Sequence, residues 1–435
     1  MDATTNPDDR PAKFYWLLPF LRPPVAMTRG QERTFLLVGV AALFGGYDMV
    51  IFGLATPQIQ ASLSIPENRL ALTVTFFRLA AFGAILLAAM ADLVGRRRLL
   101  LITITGQAIA TLGTAFSGTY EQFVLWQVAT RVFGYAEEML CIVVIMEEME
   151  ASARGWAAGM FAAMTSTGAG VASLVFAFVS MLPFGWRAIY VIGAVPLFLV
   201  AIWRRRLPET KRFAAEDAVH SLESRVSQTF AMLRLLVSEY PGRVAAILLV
   251  VASAGFAFAP AAVLMSKYLQ QVHHYSPGGV TALYVPGGFI ALAISVLAGR
   301  FSDRIGRKIV VLTTAAFGAA CFGLFYSGYG GWFVPVAWIA AMSGYFTMDA
   351  LVAGFSSEIV PTAYRATVSG LRYTVGILSG AISLALEGVF YDHFGGHGPA
   401  VLVALATVPV LLIAVLLLPE PSGKTLEEMT ETPAG

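Results

Sequence analysis

Seven charged residues stand inside stretches of sequence that are otherwise almost continuously apolar: Asp48, Arg78, Arg131, Glu137, Glu138, Asp349 and Arg372. A charged side chain near the centre of a bilayer costs about 2.5 to 3.5 kcal/mol even on permissive insertion scales, so each one retained implies a partner or a task. Few tasks are open to carboxylates and guanidinium groups at that depth. An acid can exchange a proton, an arginine can grip an anion, or a charge can neutralise a neighbouring helix. Enzyme chemistry is not indicated: the spans carry no histidine cluster, metal-ligand spacing or nucleophile motif, and His273 and His274 sit together in a loop. No cofactor and no nucleic-acid partner are expected.

These charges need elements that can hold them in lipid. Of 435 residues, 57% are hydrophobic and 13% charged, too little polar surface to cover a soluble protein of this size. Apolar stretches near the roughly 20 residues needed to span a bilayer recur at 34–56, 70–91, 99–118, 121–147, 156–181, 185–203, 244–270, 279–301, 308–328, 332–357, 366–391 and 399–418. They are long and continuously apolar, whereas barrel strands alternate and are short, so the expected fold is an all-α membrane protein of twelve transmembrane helices. The chain opens on polar residues including Asp8 and Asp9, which predicts no cleavable signal peptide. Most of the 29 Lys and Arg residues fall in the tails and in the loops after even-numbered spans. That bias predicts a multi-pass inner-membrane protein with both termini cytoplasmic. Cys141 and Cys321 fall inside spans and read as small core residues.

One sequence offset organises the chain. Asp92, Gly95 and Arg96 recur as Asp303, Gly306 and Arg307; Glu147 and Arg154 recur as Glu358 and Arg365; Pro208 and Glu209 recur as Pro419 and Glu420, in every case 211 positions later. A duplication follows. It divides the chain into a tail (1–33), a six-helix bundle (34–203), a linker (204–243), a second six-helix bundle (244–418) and a C-terminal tail (419–435). At about 1.5 Å per residue, Glu138 lies roughly 14 Å from Glu147, hence near mid-span, and Asp349 is its duplicate.

These loop motifs resemble the major facilitator superfamily, in its branch of sugar porters, aromatic-acid symporters and organic-ion transporters. Gly46-Tyr47-Asp48, Gly185-Trp186-Arg187 and the tail Gly423-Lys424-Thr425-Leu426-Glu427-Glu428 extend the likeness. The resemblance implies two pseudo-symmetric bundles that rock about a central path, and a monomer. It also implies a cytoplasmic gate of Asp92, Arg96, Glu147 and Arg154 with its twin Asp303, Arg307, Glu358 and Arg365. Proton-coupled relatives pair a helix 1 acid with a helix 4 arginine. Asp48 and Arg131 look like that pair, and Glu138 joins them as a proton-coupling candidate. A static salt bridge between the two helices is the competing reading.

Substrate contacts are expected from Arg372, Asp349, Glu137, Arg78, Tyr284 and Tyr345. Arg372 has no acid in its own helix within two turns, so it either grips a carboxylate or neutralises Asp349. Glu137 and Glu138 are adjacent, about 100° apart on a helix, and cannot face one cavity equally. Glu387 and Lys267 fall near the outer interface, where snorkelling accounts for them. Phe256, Phe258, Trp338 and Phe346 are further candidates to line a cavity. The linker's Leu222, Val226, Phe230, Leu233 and Val237 predict a surface helix, and 14–21 has an interfacial character.

Some positions depart from the resemblance. Helix 4 reads Arg131-Val-Phe-Gly-Tyr-Ala-Glu-Glu-Met139 where the family has small residues; helix 7 lacks the glutamines that contact sugar; helix 5 lacks the Gly-Pro of drug antiporters. The expected activity is therefore proton-driven symport of a small organic anion, an aromatic or other carboxylic acid, held between the halves near Glu138, Asp349 and Arg372. Export of cationic or amphipathic compounds, and sugar or polyol uptake, are the alternatives.

Overall fold

The computed structural model describes residues 11, 12, 14, 22–150, 152–205 and 222–421, without the side chains of 92, 93, 222–230 and 362. Asp92, Pro208, Glu209, the 423–428 motif and most of 14–21 therefore lie outside the described residues or side chains. Regular structure among the described residues is helical apart from one isolated bridge, between Pro11 and Thr28.

The first half contributes α1 (Arg29–Leu54), α2 (Thr56–Leu63), α3 (Glu67–Ala89), α4 (Ala91–Val94), α5 (Arg96–Ala115), α6 (Tyr120–Glu148), α7 (Arg154–Phe176) and α8 (Trp186–Arg204). After the linker helix α9 (Leu222–Glu239) come α10 (Pro241–Val263), α11 (Met265–Gln271), α12 (Pro277–Ile305), α13 (Arg307–Tyr326), α14 (Val334–Glu358), α15 (Arg365–Phe394), α16 (His397–Leu405) and α17 (Val408–Leu417). Among the described residues, eleven helical stretches are long and apolar enough to cross a membrane. The remaining long helix of the first half, α6, is the one with Arg131, Glu137 and Glu138 in its middle. The twelve expected spans fall mainly on helix; 156–181 runs past the end of α7 at Phe176 and 34–56 past the end of α1 at Leu54. Those at 244–270 and 399–418 are each broken once, at Leu264 after Pro260 and at Ala406–Thr407 before Pro409.

Local signals set the ends. Thr28 and Gln31 exchange side-chain bonds with each other's backbone N–H, at 2.9 and 3.2 Å, and so start α1 with a capping box. Thr119 and Ser276 cap α6 and α12 by accepting from the N–H of Gln122 and Gly279. The duplication is visible in the backbone: Gly95 and Gly306, 211 positions apart, take φ of 97° and 108°, which side chains rarely adopt, and each turns the chain into an Arg-led helix.

Contacts group the chain into two units. The first is Met1–Leu54 with Ala80–Val219, the second Ala55–Leu79 with His220–Gly435. In the first, α1 packs along α7, and α5 lies between α6 and α8. The α1–α7 approach depends on missing side chains, because a Cβ on Gly46 would press into the Thr165 carbonyl and one on Gly168 into the Leu43 carbonyl. In the second unit α10 packs on α15 and α17, and α13 on α14. The linker helix exists; among its described side chains Leu236 is fully buried, Leu233 partly buried and Val237 exposed, and the predicted face at Leu222, Val226 and Phe230 lies outside the described side chains.

Gly46→Ala is expected to destabilise the protein by about 1 to 3 kcal/mol through overpacking. Gly159→Ala, on the partner helix α7 but with open space at its Cβ, leaves the melting temperature in detergent unchanged or slightly raised. Equal melting of the two variants would contradict the packing described.

Candidate functional site

Inside the first unit, α1, α5, α6 and α7 enclose a cavity of about 140 Å³ whose lining includes Asp48, Met49, Gln107, Arg131, Glu137, Glu138 and Thr165. Asp48 is buried and accepts a hydrogen bond from the Thr111 hydroxyl at 3.3 Å. Arg131, equally buried, directs its guanidinium to the sulfur and the carbonyl oxygen of Met49, the residue after Asp48, the latter at 3.1 Å. Asp48, Arg131 and Glu138, expected as one set, therefore share one cavity wall.

The adjacent acids on α6 have separate fates. Glu138 is exposed and faces the cavity space. Glu137 is 4% exposed and ion-pairs with Arg204, the last residue of α8. Its carboxylate also accepts from the Thr103 hydroxyl at 2.5 Å and faces the Cys141 sulfur at 3.2 Å. Arg204, fully buried, donates as well to the Leu37 carbonyl at 3.2 Å. One acid is thus committed to holding α8 against α6 and α1, and the other is open. No local signal marks Arg204, because in Trp203-Arg204-Arg205-Arg206 it reads as one member of a basic loop.

A second set lies within the second unit. Arg372 on α15 meets Asp349 on α14 at 3.5 Å, with the acid 61% exposed. Arg78 on α3 is half-buried, lies against the backbone at Gly380, and makes no hydrogen bond or ion pair among the described residues. Tyr345 on α14 packs at a tilt against Phe258, with ring centroids 5.6 Å apart. Arg78 thus lies against α15, the helix of Arg372, and Tyr345 and Asp349 stand about one turn apart on α14. Tyr284 stands apart, its ring tilted against the buried Trp338 with centroids 4.7 Å apart. Phe258 and Trp338 are core residues, and Phe346 is exposed.

The Arg-led turns carry matching ion pairs. Arg96 meets Glu147 at 3.2 Å in the first unit, and Arg307 meets Glu358 at 2.8 Å and Asp303 at 2.7 Å in the second. Arg154 donates to the Met149 carbonyl, and Arg365 makes no ion pair among the described residues. Glu420 enters the set from the end of the chain: its two oxygens accept the backbone N–H groups of Arg307 and Lys308 at 2.8 and 3.0 Å, so it caps α13 as well as marking the repeat.

Snorkelling does not describe Lys267 and Glu387. They are 2% and 1% exposed and belong to a network with Gln60, His397 and the partly exposed Glu67.

The model of the Major Facilitator Superfamily matches residues 36–384. The chain belongs to that superfamily. A Haemophilus influenzae protein named for metabolite transport is 25% identical over 90% of this chain and 97% of its own. The cis,cis-muconate transport protein of Acinetobacter baylyi is 24% identical over 81% and 86%, and the gallate transporter of Pseudomonas putida 22% over 95% and 91%. Among solved structures, the crystal structure of a D-xylose-proton symporter superposes with a TM-score of 0.70 at 19% identity, covering 91% of this chain and 99% of that one, a likeness of fold. The chain is a membrane-spanning transporter of a small molecule, not an enzyme.

Breaking the Glu137–Arg204 pair leaves one buried charge without its partner. Arg204→Met is expected to cost about 3 to 5 kcal/mol. Glu137→Leu with Arg204→Met recovers most of that loss. Thermal unfolding in detergent of the single and double variants reads the difference, and a double variant as unstable as the single would refute the assignment.

Proposed function

We propose that this transporter is a proton-coupled symporter of the cytoplasmic membrane that takes up a small organic anion, a carboxylic acid with an aromatic or unsaturated body. The observation that carries the reading is the pairing of chemistries: a buried acid beside an arginine on one cavity wall, and a half-buried arginine without an acid partner in the other unit.

Asp48 is the proton carrier. Protonation removes its buried charge, and Arg131, held on the neighbouring Met49 carbonyl, can then move without leaving an unpaired carboxylate. Glu138, open to the same cavity, exchanges the proton with water. The substrate anion is gripped by Arg78, with Arg372 shared between the substrate and Asp349. The names of the relatives support this: muconate and gallate are both carboxylates. Both charged termini are assigned to the cytoplasm on the basic bias of the loops, and the protein is taken as a monomer.

A second reading, export of cationic or amphipathic compounds in exchange for protons, draws on the exposure of Glu138 and Asp349, two acids able to hold a cation. Sugar or polyol uptake has only the shared fold on its side.

The test is uptake of labelled cis,cis-muconate, gallate and related acids into proteoliposomes under an imposed pH gradient. Uptake is expected to follow an acidic exterior, to lose its gradient dependence in Asp48→Asn, and to fall at least about tenfold in Arg78→Gln, the loss of a charged hydrogen-bonding partner. Uptake indifferent to the gradient, with Asp48→Asn fully active, removes proton coupling. Efflux of dyes with no acid transported favours the exporter.

A further inference from the structure

A chain of polar side chains runs through the second unit at the ends of its helices remote from the Arg-led turns. Lys267 on α11 donates to the Gln60 side chain at 2.5 Å and ion-pairs with Glu67, the first residue of α3. The same Glu67 oxygen faces Nε2 of His397 at 3.0 Å, and Nδ1 of His397 faces Glu387 of α15 at 2.7 Å. The histidine side chain is 10% exposed and lies between the two acids.

Proton counting decides what this arrangement needs. A neutral imidazole has one N–H, and an ionised carboxylate has none. With both ring nitrogens aimed at carboxylate oxygens, a neutral ring between two ionised acids would set one bare nitrogen against a bare oxygen. One additional proton, on the ring or on either acid, is required to fill both bonds. Charge counting agrees. Two carboxylates and one ammonium sum to a net negative charge at a site where Lys267 and Glu387 are almost fully buried and Glu67 is 36% exposed, and the added proton, which the buried Glu387–His397 contact needs most, brings the cluster to neutrality.

We infer that Glu67, His397 and Glu387 form a proton-binding site, separate from Asp48, whose proton latches the segment Ala55–Leu79 onto the helices of the second half. The segment is tied there by three further bonds: Gln58 to Gln270 at 2.7 Å, Asn68 to Asp392 at 3.0 Å, and the Thr75 hydroxyl to the Ala381 carbonyl at 3.1 Å. The other titratable groups around the histidine are Lys267 and Tyr268 from α11, Tyr326 from α13, and Tyr391 and Asp392 from α15. The Tyr391 ring lies 4.5 Å from the imidazole, and the Tyr268 hydroxyl donates to the Tyr326 carbonyl close to Gly398. When the proton leaves, Glu67 and Glu387 face the histidine with one bond unfilled and one uncancelled charge, and the segment is released. The inference does not depend on the role given to Asp48, because the site is read without substrate.

The test uses the full chain, labelled with ¹⁵N-histidine and held in lipid nanodiscs, titrated between about pH 5.5 and 9. The chain has five histidines, and His397→Gln identifies the signal; should that variant fail to fold, Glu387→Gln identifies it by moving that signal alone. At neutral pH the result expected is an imidazolium at His397 or, if the proton sits on an acid, an infrared band of a protonated carboxyl. Either is lost in Glu387→Gln, whose amide supplies the missing N–H itself. A neutral His397 with no such band in the unaltered chain overturns the site. For the latch, disulfide formation between Gln58→Cys and Gln270→Cys is expected to drop severalfold from pH 6 to pH 9 relative to the same pair in a Glu387→Gln background. An equal pH response in both backgrounds overturns the latch. Failure of gradient-driven uptake by Asp48 would leave both of these results unchanged.

Discussion

A charge removed from water must be cancelled, hydrated or discharged, and the interior of this protein is arranged around that constraint. The Glu137–Arg204 pair is its plainest expression. Both groups are buried, each finds further hydrogen bonds, and together they tie the end of α8 to the middle of α6 and the backbone of α1. With that acid settled, its neighbour Glu138 can stay open to the cavity. Two consecutive glutamates thereby divide into one that holds the bundle and one that lines the cavity.

The same constraint separates the remaining groups by what is left over. Asp48 receives a hydroxyl hydrogen bond, and Arg131 turns to the peptide group beside it, so acid and base are close while the guanidinium is anchored on neutral atoms. Arg372 is engaged by Asp349 at the longer distance of 3.5 Å with the acid largely exposed. Arg78 has no comparable partner among the described residues. The proposed anion uptake needs a cation that is available some of the time, and these two arginines differ in how much of that availability remains.

Around the charges the framework is a duplicated one. The turn glycines, the arginine that follows each and the glutamate each arginine meets recur at one offset, in backbone angle as well as in residue type. The symmetry is not carried through to the ends of the chain's contacts. Ala55–Leu79, from the first half by sequence, groups with the second half, and the buried His397 network is part of what holds it there.

Composition and spacing alone determined that the chain is helical, spans a membrane and repeats itself. Apolar runs of bilayer length have one low-energy backbone in lipid, and a fixed offset survives only where the two halves keep one grammar. The membership of Asp48, Arg131 and Glu138 in one cavity was also legible, since depth follows from helical rise. Pairing between helices was not. Arg204 looked like loop charge, Glu387 and Lys267 looked like snorkelling residues, and nothing local to Glu137 distinguished it from Glu138. Each was decided by which neighbouring helix lay within the reach of a side chain, a property of three-dimensional packing that one-dimensional spacing does not contain.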